Sequence, residues 1–236
     1  MTLSKSAKVA NKFFFVLLCV LTVVVLYPLF FILNNSFKGK FFISKDPFAL
    51  PTAETFVGLN NYVNGLIKTG LLSAIGWSFF ITIVSVILLI VFTSMTAYYI
   101  TRVKSKVTTI LYYMFAFSMI VPFQMVMFTL TSLADTFHLK NPLGMCILYL
   151  GFGAGLSIFM FAGFIKSVPI EIEEAAMIDG CTPLQTFFGI VFPILKPTAI
   201  TVAILNAMWI WNDFLLPYLV IGISTKYKTI PVVVQM

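Results

Sequence analysis

Long apolar runs separated by short polar stretches set the pattern of this chain. Residues 13–37, 69–101, 107–134 and 141–165 contain no Asp, Glu, Lys or Arg, and 197–225 is interrupted only by Asp213. About 20 apolar residues cross the hydrocarbon core of a bilayer as a helix, so the pattern predicts five membrane-crossing helices. Helices follow because lipid cannot satisfy free backbone N–H and C=O groups, and no strand-length alternation is present. The expectation is an all-α, polytopic membrane helical bundle.

Details within the runs refine this. Lys5, Lys8 and Lys12 precede the first run. That run is longer than a signal-peptide core and no small-x-small cleavage site follows it, so it reads as a retained helix. The connection 38–68 holds Pro47, Pro51, Gly58 and Asn60-Asn61-Tyr62; it reads as mostly irregular, with a short helix near 59–67. Pro122 frees a carbonyl one turn back and is expected to kink the third helix. Gly151, Gly153, Ala154, Gly155, Ser157 and Gly163 make the fourth helix suited to close packing inside the bundle. The final TIPVVVQM starts an apolar segment too short to cross a bilayer, which reads as a truncated or interfacial segment.

Hydrophobic residues make up 60% of the chain and charged residues 10%, against about 25% charged in soluble domains. The net charge of +7 is spread over both ends of the apolar runs. It reads as lysines flanking membrane helices, not as a nucleic-acid surface. Eight basic residues fall on the side of the N-terminus and seven on the other, which only slightly favours a cytoplasmic N-terminus. Cys19, Cys146 and Cys181 have no metal-type spacing. There is no Walker-type phosphate loop, no His-Glu-x-x-His and no nucleophile elbow. The chain is therefore not expected to be an enzyme or to bind a cofactor, and any ATP would be held by another subunit.

The polar connection 166–197 carries Glu171, Glu173, Glu174 and Asp179, half of the eight carboxylates. Pro169 suits a first helical position, and the three glutamates follow where the helix dipole favours acids. Ile172, Ala175 and Ala176 make a narrow apolar face, and Gly180 stands where a left-handed helix stop belongs. Thr182, Pro183 and Gln185 then form a capping box. Leu184, Phe187, Phe188 and Val191 make an aromatic-rich stripe, and Pro193 is expected to end that helix. Two readings stay open: a surface for a partner, or an interfacial loop packed on its own bundle.

Asp213 is the one carboxylate within a membrane run, and such a residue is a functional-site hypothesis by default. Pro217 cannot donate to its carbonyl, so a bend is expected there. Trp209 and Trp211 could stack on a ligand or mark the membrane interface. Gln124 and Asn206 could line a route across the membrane or join helices by hydrogen bonds. His138 reads as a solvated loop residue without metal partners.

The string Ile172 to Cys181, IEEAAMIDGC, with Ile190 and Pro193, resembles the cytoplasmic EAA loop of importer-type ABC transporter permeases. Asn35-Ser36-Phe37-Lys38, Gly58-Leu59-Asn60-Asn61-Tyr62, Ala97-Tyr98 through Arg102, Trp211-Asn212-Asp213-Phe214 with Pro217, and Thr229-Ile230-Pro231 agree in order. They are similar to the carbohydrate branch, in particular to the smaller maltose-type permease subunit. The resemblance implies a type I ABC importer permease fold without the family's last helix and tail, as in a C-terminally incomplete chain. It implies a cytoplasmic N-terminus (1–12), a first transmembrane helix (13–37), an external loop (38–70) and a permease domain (71–236) whose loop 166–197 couples to the ATPase. Glu173, Glu174, Ala175, Ala176, Asp179, Gly180, Leu184, Phe187 and Phe188 are the candidate coupling residues. Gln124, Asn206, Trp209, Asn212 and Asp213 are candidates for the translocation path. The implied partners are a second permease subunit in a heterodimer, a dimer of ATPase subunits carrying ATP and Mg, and an extracellular or periplasmic sugar-binding protein. All of this places the chain as a multi-pass protein of a bacterial cytoplasmic membrane, importing a sugar or oligosaccharide. A non-transporting membrane scaffold and a secondary transporter are the contrasting classes; a single intramembrane acid and no second helical half weigh against the latter.

Overall fold

An 18-residue apolar window within Ala10–Ser36, with none of it buried inside the protein, makes this segment a membrane span rather than a soluble helix. It belongs to the first helix of a computed structural model that describes residues 5–222 and 226–235. Parts of two expectations, the first residues of the N-terminal tail and the end of the fifth apolar run at 223–225, lie outside the described residues. The chain divides into two compact units, Met1–Gly70 and Leu71–Met236.

The first unit holds α1 (Lys5–Ser36), α2 (Lys40–Lys45) and α3 (Asn60–Lys68). The short helix expected near 59–67 is α3, while α2 carried no recognisable periodicity. The connection is irregular but closely tied. Asn61 donates through Nδ2 to the Ser36 and Lys38 carbonyls, both at 2.8 Å, and the Ser36 and Tyr62 hydroxyls are 2.6 Å apart. Asn35 Nδ2 donates to the Pro47 carbonyl at 2.9 Å. Lys38 is buried, with Nζ donating to the Asp46 carbonyl at 3.1 Å. Two sequence strings separated by the whole loop therefore meet through backbone carbonyls.

The second unit is built from α4 (Leu71–Arg102), α5 (Lys106–Ser118), α6 (Phe123–Thr136) and α7 (Pro142–Ile165), then α8 (Glu171–Ile178) and α9 (Pro183–Thr186). A π-helical turn, Phe187–Val191, leads into α10 (Phe192–Ile194), α11 (Lys196–Asn212), α12 (Leu215–Val220) and α13 (Ile230–Val234). Among the described residues of this unit, α4 and α7 are the unbroken helices long and apolar enough to span. Two of the five expected crossings are strongly bent pairs of helices: the third is α5 and α6, bent by 107°, where a kink at Pro122 was expected, and the fifth is Pro183–Ile194 and Lys196–Asn212, bent by 75°. Five crossings result only when each bent pair is one span. Pro122 does more than kink. It sits extended at the N-cap of α6 (φ −65°, ψ 140°), because the residue's fixed φ and missing N–H suit a helix start better than an interior.

Helix α7 is the centre, packed by α4, α5 and α11. Small residues make this possible at specific places. A Cβ on Gly153 would lie 2.8 Å from Asn206 Oδ1 and from Leu89 Cδ2, and one on Gly155 2.6 Å from Ser118 Oγ. Around Gly151 and Gly163 there is open space instead. Gly153→Ala is therefore expected to lower stability by roughly 1–3 kcal/mol through overpacking, while Gly151→Ala, gaining helix propensity, is neutral or stabilising. Melting temperatures of the purified protein check this; equal melting of the two variants would contradict the close-packing account.

Two apolar cores result. One joins Ile81, Leu89, Met145, Tyr149, Ile210 and Leu216. The other joins Ala97, Phe161, Ile165, Phe187, Val191, Leu195 and Val202, so the polar connection contributes three of its own side chains to the bundle. α6 is stopped two residues past its end by His138, which is exposed and adopts φ 54°. Its N–H bonds the Asp135 carbonyl and that of Leu139 bonds the Ala134 carbonyl, a left-handed helix stop. Among the described residues no group of three His, Cys, Asp or Glu could hold a metal. The short α13 packs on α4, with Val232 buried and the Ile230 N–H donating to Ser78 Oγ at 2.8 Å.

Candidate functional site

After α7 the chain leaves the long helices at Lys166 and forms α8. Ile170 is its N-cap, so Pro169 precedes the helix instead of opening it. Glu171, Glu173 and Glu174 lie in the first turn, where three free N–H groups and the dipole favour negative charge. The stop is as expected: Gly180 has φ +84°, the Cys181 N–H bonds the Ala176 carbonyl at 3.0 Å and the Gly180 N–H bonds the Met177 carbonyl at 3.1 Å. The capping box is also present. Gln185 N–H donates to Thr182 Oγ1 at 3.4 Å, and Thr182 N–H donates to Gln185 Oε1 at 2.8 Å.

Pro193 does not end the next helix. It has no N–H to offer the Gly189 carbonyl, and the helix absorbs this by widening. The Phe192 N–H reaches back to the Phe187 carbonyl, closing a π-helical turn over Phe187–Val191, a form common at functional positions. The chain then bends at Leu195 into α11.

The buried face of α8 is not the expected one. Ala176 is buried, but Ile172 and Ala175 are exposed, and the residue turned inward beside Ala176 is Glu173, 2% exposed. Its carboxylate is fully occupied. Arg102, the last residue of α4, donates to Oε1 from Nε at 2.9 Å and from Nη2 at 2.6 Å. Nη2 also donates to the Val168 carbonyl at 2.9 Å, and the Tyr98 hydroxyl donates to Oε2 at 2.8 Å. Side-chain exposures of 17% for Arg102 and 3% for Glu173 make this a buried, charge-assisted pair. The Tyr98 ring in turn meets Phe187 with centroids 5.2 Å apart. One end of α4 thus holds α8 through a carboxylate and the π-turn through a ring.

The other side of this connection is free. Glu174, Ala175, Asp179 and Gly180 are exposed, as are Leu184 and Phe188; the expected stripe splits, with Phe187 and Val191 in the core and the other two outside. Ile178 is 87% exposed at the tip.

The candidates for the membrane path fall into two sets. Asn206 is buried between α11 and α7, its Nδ2 donating to Ser157 Oγ at 3.2 Å and to the Val202 carbonyl at 2.9 Å; it joins helices. Asp213 ends α11, its Oδ1 accepts the Leu215 N–H at 3.0 Å and its Oδ2 accepts the Tyr149 hydroxyl at 3.0 Å. It caps the turn into α12, so the expected bend at Pro217 is a break at Asp213. Gln124, Trp209 and Asn212 are exposed, Trp209 standing edge-on to Tyr149 with centroids 5.5 Å apart. The sequence candidates omitted Arg102 and Tyr98 from the site; their only signal was the Ala97-Tyr98…Arg102 string.

Comparison with known proteins places these elements. The family described as binding-protein-dependent transport system inner membrane component matches residues 90–232. The probable starch degradation products transport system permease protein AmyC of Thermoanaerobacterium thermosulfurigenes is 39% identical over 215 residues, covering 91% of this chain and 77% of the relative. The multiple sugar-binding transport system permease protein MsmG of Streptococcus mutans is 36% identical over 232 residues, covering 97% and 82%. A crystal structure of a bacterial ABC transporter involved in the import of the acidic polysaccharide alginate shares the fold. Its TM-score is 0.81 at 21% identity, covering 99% of this chain and 81% of that one.

Proposed function

Since this chain belongs to the family of binding-protein-dependent transport system inner membrane components, we propose that it is the permease subunit of an ATP-driven importer of a sugar or oligosaccharide. The observation that carries the proposal is the two-sided connection 166–197. One side is fastened to α4 through Arg102, Tyr98 and Glu173. The other exposes Ile178, Leu184 and Phe188 around Glu174, Asp179 and Gly180. A partner seated on the outer side moves α4 and α11 with it, because the inner side leaves the connection no slack. By resemblance that partner is a dimer of ATPase subunits, which carries the ATP and Mg, with the connection and the N-terminus in the cytoplasm. A second permease subunit supplies the other half of the path, and a binding protein delivers the sugar outside.

The relatives named for starch degradation products, multiple sugars and alginate support the substrate class. For the path, Gln124, Trp209 and Asn212 offer polar or aromatic surface, while Asn206 and Asp213 shape its wall. The test is purification of the membrane complex and its reconstitution with binding protein and a panel of mono- and oligosaccharides. An ATPase should co-purify, and one saccharide should accumulate with ATP, more slowly in Trp209→Ala. A chain that purifies without an ATPase, or a complex that accumulates no saccharide, overturns the reading.

A further inference from the structure

Three lysines that the coupling surface and the path leave unused converge on one cavity. Lys104 and Lys106 flank the turn from α4 to α5, Lys166 follows the end of α7, and all three line a space of about 760 Å3. The only ion pairs among the described residues are Arg102–Glu173 and Lys140–Asp135, so none of the three has a carboxylate partner there. No acidic residue lines the cavity. The Lys166 ammonium lies 5.2 Å from the Tyr112 ring centroid, and Tyr112 lines the same cavity.

The rest of the wall is mixed: Ser105, Thr108 and Thr109 line it beside the lysines, and Ile100, Val103, Ile110 and Ala162 give it an apolar part from α4, α5 and α7, at the ends of helices that lie in the membrane. A soluble phosphate has no use for the apolar part, whereas an amphiphile fits both. Basic pockets between membrane helices at the bilayer surface are the usual form of sites for anionic lipid headgroups.

We propose that this cavity is a binding site for the phosphate headgroup of an anionic phospholipid, with the first acyl carbons against Ile100 and Ile110. Bound there, the lipid would join the α4–α5 turn to the end of α7, beside the Arg102 clamp.

The experiment uses the purified membrane complex in phosphatidylcholine nanodiscs titrated with phosphatidylglycerol, read by native mass spectrometry and thermal shift. The combined Lys104→Gln, Lys106→Gln and Lys166→Gln variant is expected to lose affinity on the order of a hundredfold, from about fivefold per lysine near the membrane surface. Removing Lys226 and Lys228 instead should leave the site intact. Where the triple variant fails to fold, Lys104→Glu, a change on an exposed side chain, is expected to weaken binding at least fivefold. Unchanged lipid affinity in the lysine variants overturns the proposal. So does an equal loss on removing Lys226 and Lys228, which would mean diffuse surface attraction. Full competition by inorganic phosphate would reassign the site to a soluble anion. Loss of the ATPase with lipid binding intact would reassign the lysines to a protein partner.

Discussion

Arg102→Ala is expected to release α8 from the bundle and to abolish uptake without unfolding the membrane helices. The substitution strands the Glu173 carboxylate, 2% exposed, with only the Tyr98 hydroxyl as a side-chain partner. It also takes a donor from the Val168 carbonyl. Removing one partner of a buried pair costs about 3–5 kcal/mol, because the remaining charge stays desolvated. That exceeds what the few apolar contacts of an eight-residue helix can hold, so α8 swings out while the two apolar cores persist. Hydrogen exchange across 171–178 should accelerate by two orders of magnitude or more, as about 1.4 kcal/mol corresponds to a factor of ten. Pairing Arg102→Met with Glu173→Leu should recover most of the protection, since an apolar pair of similar volume often replaces a buried ion pair at no loss. Exchange unchanged in the single variant would show that the clamp does not hold the connection.

Gly180→Val is expected to leave ATP hydrolysis running while uptake stops. A Cβ at this position would meet nothing within 4 Å, so within this chain the penalty is conformational, not steric. At φ +84° a β-branched residue is strained by about 1–3 kcal/mol. The chain relieves the strain by opening the paired stop that joins Cys181 to Ala176. Thr182 then no longer stands where it caps α9, and the angle between α8 and α9 changes. Gly180→Asn is the discriminating control, because asparagine tolerates the left-handed region; it should keep most of the coupled uptake. If Asn and Val are equally damaging, the position matters for room at the partner's surface and not for its backbone angle.

What was legible in the sequence were the features governed by near neighbours. The Thr182–Gln185 box, the Gly180 stop and the short α3 depend on residues within one turn of each other. So does the apolar character of the runs. What was missed depends on distance or on a choice between local solutions. Glu173 meets Arg102 across 71 residues, and nothing in α8 itself says that its buried position is a carboxylate and not Ile172. The phase of the helix was also misjudged, because Pro169 was placed inside it. Pro122 and Pro193 show the same ambiguity from two sides: one breaks its helix through 107°, the other is absorbed by a wider turn. A proline states that an N–H is missing; the packing around it decides which remedy is used.

That wider turn has a consequence for how this connection tolerates change in length. A π-helical turn is an α-helix carrying one residue more than it needs, and each residue of an α-helix advances the azimuth by about 100°. The residue count between Thr182 and Leu195 is thus a phase setting that brings Phe187 round to Tyr98 while Leu184 and Phe188 stay outward. Deleting Gly189, which touches nothing through a side chain, would regularise the helix and still rotate Phe187 away from its seat by about that angle. The number of residues in this segment therefore matters to its geometry more than their kind.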